Sequence, residues 1–530
     1  MRQTKRRVAS EKGEIELATI QGFLKKGRRA FYLRPFFMSF GMWKYIGQRR
    51  MYYKIKNDIL FRQYKGYGYI TDNSEFGYGK LGTDKTSPGE KYISESGSVM
   101  LATLGKTPRH IDDIMVELTR IFKNVDFDIL KRDTMDFFHI FACAGYLDQG
   151  ETYEKCQDMT TPSSFLEDDA EKILVDEGNQ KYSLNPNDLL RSIHVEIIKG
   201  CNERCIHCFI PHDLANEMMD PSLFCRILEE GRDLNIINVT LSGGEPLLHK
   251  NFIYFLKKCR EKDLSVNVLS NLTLLTDEVI EEMIKNPLLC IQTSLYSMDS
   301  DVHDAITNHN GSFEKTKKGL LKLHSIGIPV QISCPVMKKN KNSFINVLQF
   351  GRELGVLVAI EPIIFPSYDR SGSNLKHRLS LKELKDVVNK RLIAGQAIPI
   401  RENARDKAEV GENDPLCTIC RYKLCISPNG DVFPCVGWPT NIIGSLNQQT
   451  LRDIWENSEK IQVLRQIKRK QFPKCVACED RGYCTVCMMN NSNGNQDGNI
   501  FHIDDFNCKA ASLIHKSVDA FFLANKESTT

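Results

Sequence analysis

From residue 191 to 365, apolar strand-like runs alternate with amphipathic helical segments six times. The runs are IHVEIIK, INVTLSG, SVNVLSN, LCIQTSLY, IPVQISCPV and VLVAIEPI. Segments such as PSLFCRILEEGRDL, KNFIYFLKKCREK and SFEKTKKGLLKLHSIG separate them. Strands joined by crossover helices pair in parallel, with a right-handed connection. Two arrangements satisfy this pattern, an open doubly wound sheet and a partial barrel. In both, the chemistry belongs at the carboxyl ends of the strands.

A loop directly after the first run carries three cysteines, Cys201, Cys205 and Cys208, in GCNERCIHC. No apolar run reaches the ~20 residues needed to span a membrane, and the basic N-terminus has no signal-peptide pattern. A cytoplasmic setting is therefore expected. Reducing conditions there disfavour disulfides, so clustered cysteines read as metal ligands. The chain has 18 cysteines, and they cluster: three at 201–208, then Cys417, Cys420, Cys425 and Cys435, then Cys475, Cys478, Cys484, Cys487 and Cys508. The other six, Cys143, Cys156, Cys225, Cys259, Cys290 and Cys334, read as small buried apolar residues. Four thiolates close a metal site, whereas three leave one position open. Structural zinc is the competing reading, with His207 as a fourth ligand.

The spacing C-x3-C-x2-C after the first strand resembles the cluster motif of radical S-adenosylmethionine enzymes. Three further matches follow in order. SGGE, residues Ser242, Gly243, Gly244 and Glu245, resembles the family's segment for the cofactor's amino group. Asn271 in LSNLT stands at a usual polar position. Ser294 in QTSLYS resembles the residue that bonds the ribose or carboxylate. One departure is His207, where the family often has an aromatic. The resemblance implies a partial (β/α)6 TIM-type barrel at 191–400. It also implies a [4Fe–4S] cluster whose free iron binds S-adenosylmethionine and cleaves it to a 5′-deoxyadenosyl radical.

The distal cysteines resemble the SPASM extension, which binds two auxiliary [4Fe–4S] clusters, here over 401–515. That resemblance implies Cys417, Cys420, Cys435 and Cys487 for one cluster, and Cys475, Cys478, Cys484 and Cys508 for the other. The last close pair is spaced x2 where x3 is usual, and Cys425 could replace Cys420. Asn429-Gly430 in PNGDVFPC favours a tight hairpin that would put Cys435 at the start of the next element.

Residues 1–65 read as a basic arm, 161–190 as an acidic linker and 516–530 as a tail. Between arm and linker, short strands and two helices suggest a winged-helix unit at 66–160. One helix is expected from Thr107-Pro108 through TPRHIDDIMVELTRIF, the other in KRDTMDFFHIFACAGYL. The helices carry mixed charge without a basic stripe, and the net charge of +4 is close to balanced, so no nucleic-acid partner is expected. The unit resembles PqqD-like recognition elements, which bind the leader of a precursor peptide as an added strand.

Together the three parts resemble radical peptide maturases, with GYGYITDN and CNERCIHCFIPH closest to those of Bacteroidales-type peptide systems. The resemblance implies oxidative modification of a ribosomal precursor peptide, forming a thioether or carbon–carbon crosslink. It also implies an electron donor such as flavodoxin or ferredoxin. Alternatives are oxidation of a cysteine or serine in a protein, as sulfatase-activating enzymes perform it, peptide epimerisation, and an iron–sulfur electron carrier without catalysis. No residue declares itself as the catalytic acid or base.

Overall fold

The computed structural model describes residues 50–73, 88–157, 189–212 and 217–527. Residues 1–49 of the expected basic arm and 161–188 of the expected linker lie outside the described residues.

Six strands form a parallel sheet: β7 (Ser192–Ile198), β8 (Asn238–Gly243), β9 (Ser265–Leu269), β10 (Leu289–Ser294), β11 (Val330–Pro335) and β12 (Leu357–Glu361). They are the six runs of the sequence. Their spatial order is sequential, β7 through β12, with every pair parallel. A doubly wound sheet reverses direction at a switch point. No reversal occurs here, which leaves the partial barrel.

Side chains alternate across the strands. Ile193, Val195 and Ile197 are fully buried in the main core. Their neighbours Ser192, His194 and Glu196 share the other face with Asn238, Thr240 and Ser242. Ser192 donates to Asn238 at 2.9 Å, and Asn238 donates to Ser265 at 2.9 Å. One face is thus apolar and packed under helices, and the other is a polar lumen.

Helices α1–α4 precede the barrel: Glu95–Ala102, Ile111–Ile121, Phe127–Cys143 and Tyr153–Gln157. The barrel crossovers are α5 (Pro221–Asp233), α6 (Phe252–Glu261), α7 (Asp277–Ile284), α8 (Ser300–Thr307), α9 (Ser312–Ser325) and α10 (Phe344–Leu354). Local signals set their starts. Asp220 caps α5, with Pro221 at its first turn.

The N-terminal unit begins earlier than expected. Strands β1 (Tyr52–Ile55) and β2 (Leu60–Tyr64) fall inside the stretch read as a basic arm. With β3 (Tyr67–Thr71) and β4 (Glu90–Ser94), β2 makes an antiparallel meander, β2-β3-β4. A second sheet orders β5 (Arg109–His110), β1 and β6 (Leu147–Gly150). Helix α2 starts at Ile111 with His110 as its cap, not at Thr107-Pro108. The reason is tertiary: Arg109 and His110 are used in pairing with Tyr53 and Tyr52.

The meander docks on the amino ends of the barrel strands. Leu60, Tyr64, Tyr67 and Tyr69 form one buried cluster with Ile237 and Leu288, which precede β8 and β10. Arg62 is 3% exposed, donates to the Ile236 carbonyl at 3.2 Å and pairs with Asp263 at 3.1 Å. The Arg191 guanidinium, just before β7, lies over the Tyr69 ring at 5.1 Å. The N-terminal unit therefore closes the barrel end opposite the cysteine loop.

After α11 (Leu381–Arg391) and α12 (Ala397–Ala408), β13 (Lys423–Ile426) pairs parallel with β7. β14 (Asp431–Phe433) and β15 (Gly444–Ser445) follow antiparallel, giving a nine-stranded sheet. Gly430, at φ +88, turns the β13–β14 hairpin. Cys435 lies in a turn beyond β14 rather than opening a new element. Then come α13 (Leu451–Asn457), α14 (Glu459–Gln466), α15 (Pro473–Val476), α16 (Met488–Gly494) and α17 (Asp505–Glu527). The expected limits at 400 and 515 fall inside α12 and α17. Val518 is fully buried, and Phe521 and Phe522 pack on the main core, so most of the expected tail is helix. Among the described residues, no helix is long and apolar enough to cross a membrane.

Candidate active site

The three-cysteine loop leaves β7 at its carboxyl end. Backbone bonds hold it in place. Arg204 donates to the Thr307 carbonyl and Ile206 to the Ile306 carbonyl, both at 2.9 Å. The Asn374 amide donates to the carbonyls of His207 and Cys208 at 3.0 and 3.3 Å. The loop shape is thus fixed by α8 and by the segment after β12.

The SGGE segment locks onto this loop from β8. Gly244 donates to the Ile198 carbonyl and Glu245 to the Gly200 carbonyl, both at 2.9 Å. A Cβ on Gly243 would lie 1.9 Å from the Ile198 oxygen, and one on Gly244 would lie 2.2 Å from the Gly200 oxygen. Both positions therefore require glycine.

Glu245 is held by the loops around it. It is 1% exposed, and its carboxylate accepts from Ser270 at 2.7 Å, the Asn271 amide N–H at 2.8 Å and the Leu247 N–H at 3.0 Å. That carboxylate ties the second strand's loop to the third, and burial raises its pKa to about 7. The Ser242 hydroxyl is likewise committed inward, to His194.

Asn271 donates to Asn202 at 2.9 Å, inside the cysteine loop, and Asn202 donates to Thr273 at 2.8 Å. Ser294, at the end of β10, acts on the Tyr296 hydroxyl. That hydroxyl donates to the Cys205 sulfur at 3.8 Å, and its ring stands edge-on to His207, with centroids 5.1 Å apart.

The loop fits a cluster by the chemistry of its donors. Burial raises the Cys201 thiol to about 12 and pushes Cys205 and Cys208 upward. Such thiols stay protonated near neutral pH unless a cation replaces the proton, and ligand thiolates need that cation. Among the described residues, His207 Nε2 is buried without a partner, at the same place. Among the described residues, no three His, Cys, Asp or Glu side chains converge on one ion position.

The distal cysteines gather in two sets. Cys435 has Cys487 and Cys417 as thiol neighbours, and Cys420 has Cys417 and Cys435. Cys484 has Cys508, Cys475 and Cys478. Cys487 thus lies within electrostatic reach of Cys435 and Cys417. Cys425 is 1% exposed on β13, next to Cys435, Glu196 and Cys420.

Residues 195–351 match the radical SAM superfamily model, and residues 417–479 match the SPASM iron–sulfur cluster-binding domain model. The chain carries a radical SAM domain and a SPASM domain. Their pairing implies S-adenosylmethionine and [4Fe–4S] clusters as cofactors, in an enzyme rather than a passive carrier. The subtilosin biosynthesis protein AlbA of Bacillus subtilis is 26% identical over 57% of this chain and 68% of its own length. A PqqA peptide cyclase of Xanthomonas euvesicatoria is 24% identical over 51% of this chain and 74% of its own length. Among solved structures, Streptococcus suis SuiB bound to its precursor peptide SuiA superposes with a TM-score of 0.57. It is 17% identical and covers 86% of this chain and 99% of that one, a likeness of fold.

Several residues around the radical SAM site gave no sequence signal. Tyr296 and His303 come from the turn after β10 and from α8, and are brought together only by packing. Glu203 lies within the motif, is 4% exposed and accepts from Ser312 of α9. Glu196 faces the lumen from β7, and burial raises its carboxyl to about 7. Its position one strand face away from Ile197 was the available clue.

Proposed function

We propose that this radical SAM/SPASM chain oxidatively crosslinks a ribosomally made precursor peptide. The observation that carries the reading is the nine-stranded sheet. The SPASM hairpin continues the barrel's own sheet beside β7, whose carboxyl end bears Cys201, Cys205 and Cys208. A peptide entering the lumen then has a cysteine triad at one side and two further cysteine sets at the other. A relative named as a peptide cyclase and another named for bacteriocin biosynthesis support the substrate class.

Cys201, Cys205 and Cys208 would hold the S-adenosylmethionine-binding cluster. The auxiliary ligands would be Cys417, Cys420, Cys435 and Cys487, and Cys475, Cys478, Cys484 and Cys508. Cys420 is chosen over Cys425 because it neighbours both Cys417 and Cys435. With its cofactors bound, such an enzyme supplies a carbon-centred radical that takes a hydrogen atom from the peptide. The chain's own part is positional: Gly243 and Gly244 bring backbone against the loop, Asn271 and Asn202 brace it, and Tyr296 covers Cys205.

The leader would add to the outer edge of β4, which pairs with no further strand among the described residues. That edge belongs to the unit closing the amino end of the barrel, whereas the triad lies at the carboxyl end. Strand β7 has 7 residues, so the two ends are about 23 Å apart. An extended spacer of about seven residues is the minimum to join docked leader and reacting residue.

The deciding experiment is anaerobic turnover with the precursor. Each ring should lower the peptide mass by about 2 Da with one 5′-deoxyadenosine formed. A product of unchanged mass carrying one solvent deuterium on carbon would mean epimerisation and end the crosslinking reading. Cutting the spacer to about four residues should abolish modification while leader binding persists.

A further inference from the structure

The second auxiliary cysteine set lies beside a surface feature outside the barrel mouth. Helices α11 and α17 leave an open groove of about 750 Å³ between them. Lys385, Lys509 and Lys516 rim it, and Leu513 and Phe521 line it; no carboxylate does. Ile393 at its edge is 79% exposed. Among the described residues, none of the three lysines has a carboxylate partner. On α17, Asp519 is engaged with His515 at 3.3 Å, and Asp505 stands one turn before Lys509.

A lone lysine patch is usually a solvated face. Here three further facts bear on it. The lysines surround apolar surface, the anatomy of a binding patch rather than of a charged face. The chain's net charge is only +4, so this is a local concentration. And the groove borders a cysteine set along the chain: Lys509 directly follows Cys508 on α17, and Lys516 stands about 12 Å from Cys508 along that helix. Lys474, also exposed, lies close enough to Cys508 to act on its thiol.

We propose that the α11–α17 groove docks an acidic one-electron carrier protein, a flavodoxin or ferredoxin type, and brings its redox centre beside Cys508. The lysines steer the carrier by charge, and the apolar floor with Ile393 gives a small, short-lived contact of the size electron-transfer encounters use. The reduced carrier would give up one electron to the cluster that Cys475, Cys478, Cys484 and Cys508 would hold and leave oxidised; passed on to S-adenosylmethionine, that electron breaks one C–S bond to give methionine and the 5′-deoxyadenosyl radical. The inference rests on the radical SAM reading but not on the peptide, since reductive cleavage of S-adenosylmethionine without peptide is its readout.

The test compares the reconstituted holoenzyme with its Lys385→Glu/Lys509→Glu/Lys516→Glu variant. Two reductants are used, a purified acidic flavodoxin with its reductase, and dithionite, which needs no docking. Carrier-driven 5′-deoxyadenosine formation should fall at least ~10-fold in the variant while the dithionite-driven rate holds within about twofold. Calorimetric binding of oxidised flavodoxin should vanish in the variant and, for the unaltered enzyme, weaken steeply between low and high salt. The triple Lys→Arg variant should behave as the parent. Equal rates with flavodoxin, or an equal fall with both reductants, would overturn the docking role. So would a ~10-fold rise in the precursor's KM with carrier binding unchanged, which would assign the groove to the peptide.

Discussion

The two ends of the barrel solve opposite problems. At the carboxyl end, backbone meets backbone: glycines at 243 and 244 let the SGGE segment lie against the cysteine loop, and among the described residues side chains leave His207 Nε2 without a partner. At the amino end, bulk fills every gap: Tyr64, Tyr67 and Tyr69 pack on Ile237 and Leu288, with Arg62 and Arg191 tied in. One end is built to receive a ligand and the other to exclude one. The contrast predicts that changes at the upper end move chemistry and leave stability, and that changes at the lower end do the reverse.

The largest effect should come from Cys201→Ala/Cys205→Ala/Cys208→Ala. Reductive cleavage of S-adenosylmethionine should disappear while the thermal midpoint of the apoprotein stays put. Iron should fall from roughly 12 to about 8 per chain, if each site holds four. Tightly bound zinc at any site would remove that site from the scheme.

At the opposite end, Arg62→Ala removes bonds to the Ile236 carbonyl and to Asp263. Asp263 is half-exposed and can be solvated, so the loss is of packing and hydrogen bonds, about 3 kcal/mol. Denaturant unfolding should register it, and S-adenosylmethionine cleavage by dithionite should not. Equal damage to both would break the contrast.

Glu245 sharpens it, being a structural carboxyl at the functional end. Its folded pKa of about 7 stands above the ordinary 4.5. Between those values the folded state holds a proton that the unfolded state has released. Stability from this group is therefore full below pH 4.5 and lost as pH rises toward 7, up to about 3 kcal/mol. Glu245→Gln should flatten that slope in unfolding measurements of the apoprotein across the window.

The smallest of these effects is Gly244→Ala. The added Cβ must push the segment off the Gly200 carbonyl. Affinity for S-adenosylmethionine should weaken about 10-fold, roughly 1.4 kcal/mol, and because the added Cβ meets backbone the unfolding midpoint should fall as well. Unchanged affinity would mean that the cofactor does not rely on this close approach.

The strands, crossover helices and cysteine spacing were legible because each rests on local chemistry. Period-two alternation marks β7 through β12, and Asp220-Pro221 announces α5. The strands at 52–64 were hidden by basic residues around them, since their apolar partners Ile237 and Leu288 lie far along the chain. The start of α2 was misplaced because Pro108 is a good local signal, overridden by the pairing of Arg109 and His110 with β1. Tyr296 escaped notice for the same reason: nothing near it in the chain says that Cys205 and His207 will be its neighbours.

What the sequence by itself determined is the inventory: six β/α units, a triad that leaves one ligand position open, and eight further cysteines at cluster spacing. Spacing is a property of the chain, so it survives without coordinates. Tertiary structure alone decided that the strands run in unbroken order and that β13 extends the barrel sheet. It also decided that the Glu245 carboxylate accepts from Ser270 and from the backbone of Asn271 and Leu247. Those outcomes depend on which distant groups are left to satisfy one another once the core has closed, and a buried carboxylate goes to the donors that burial supplies.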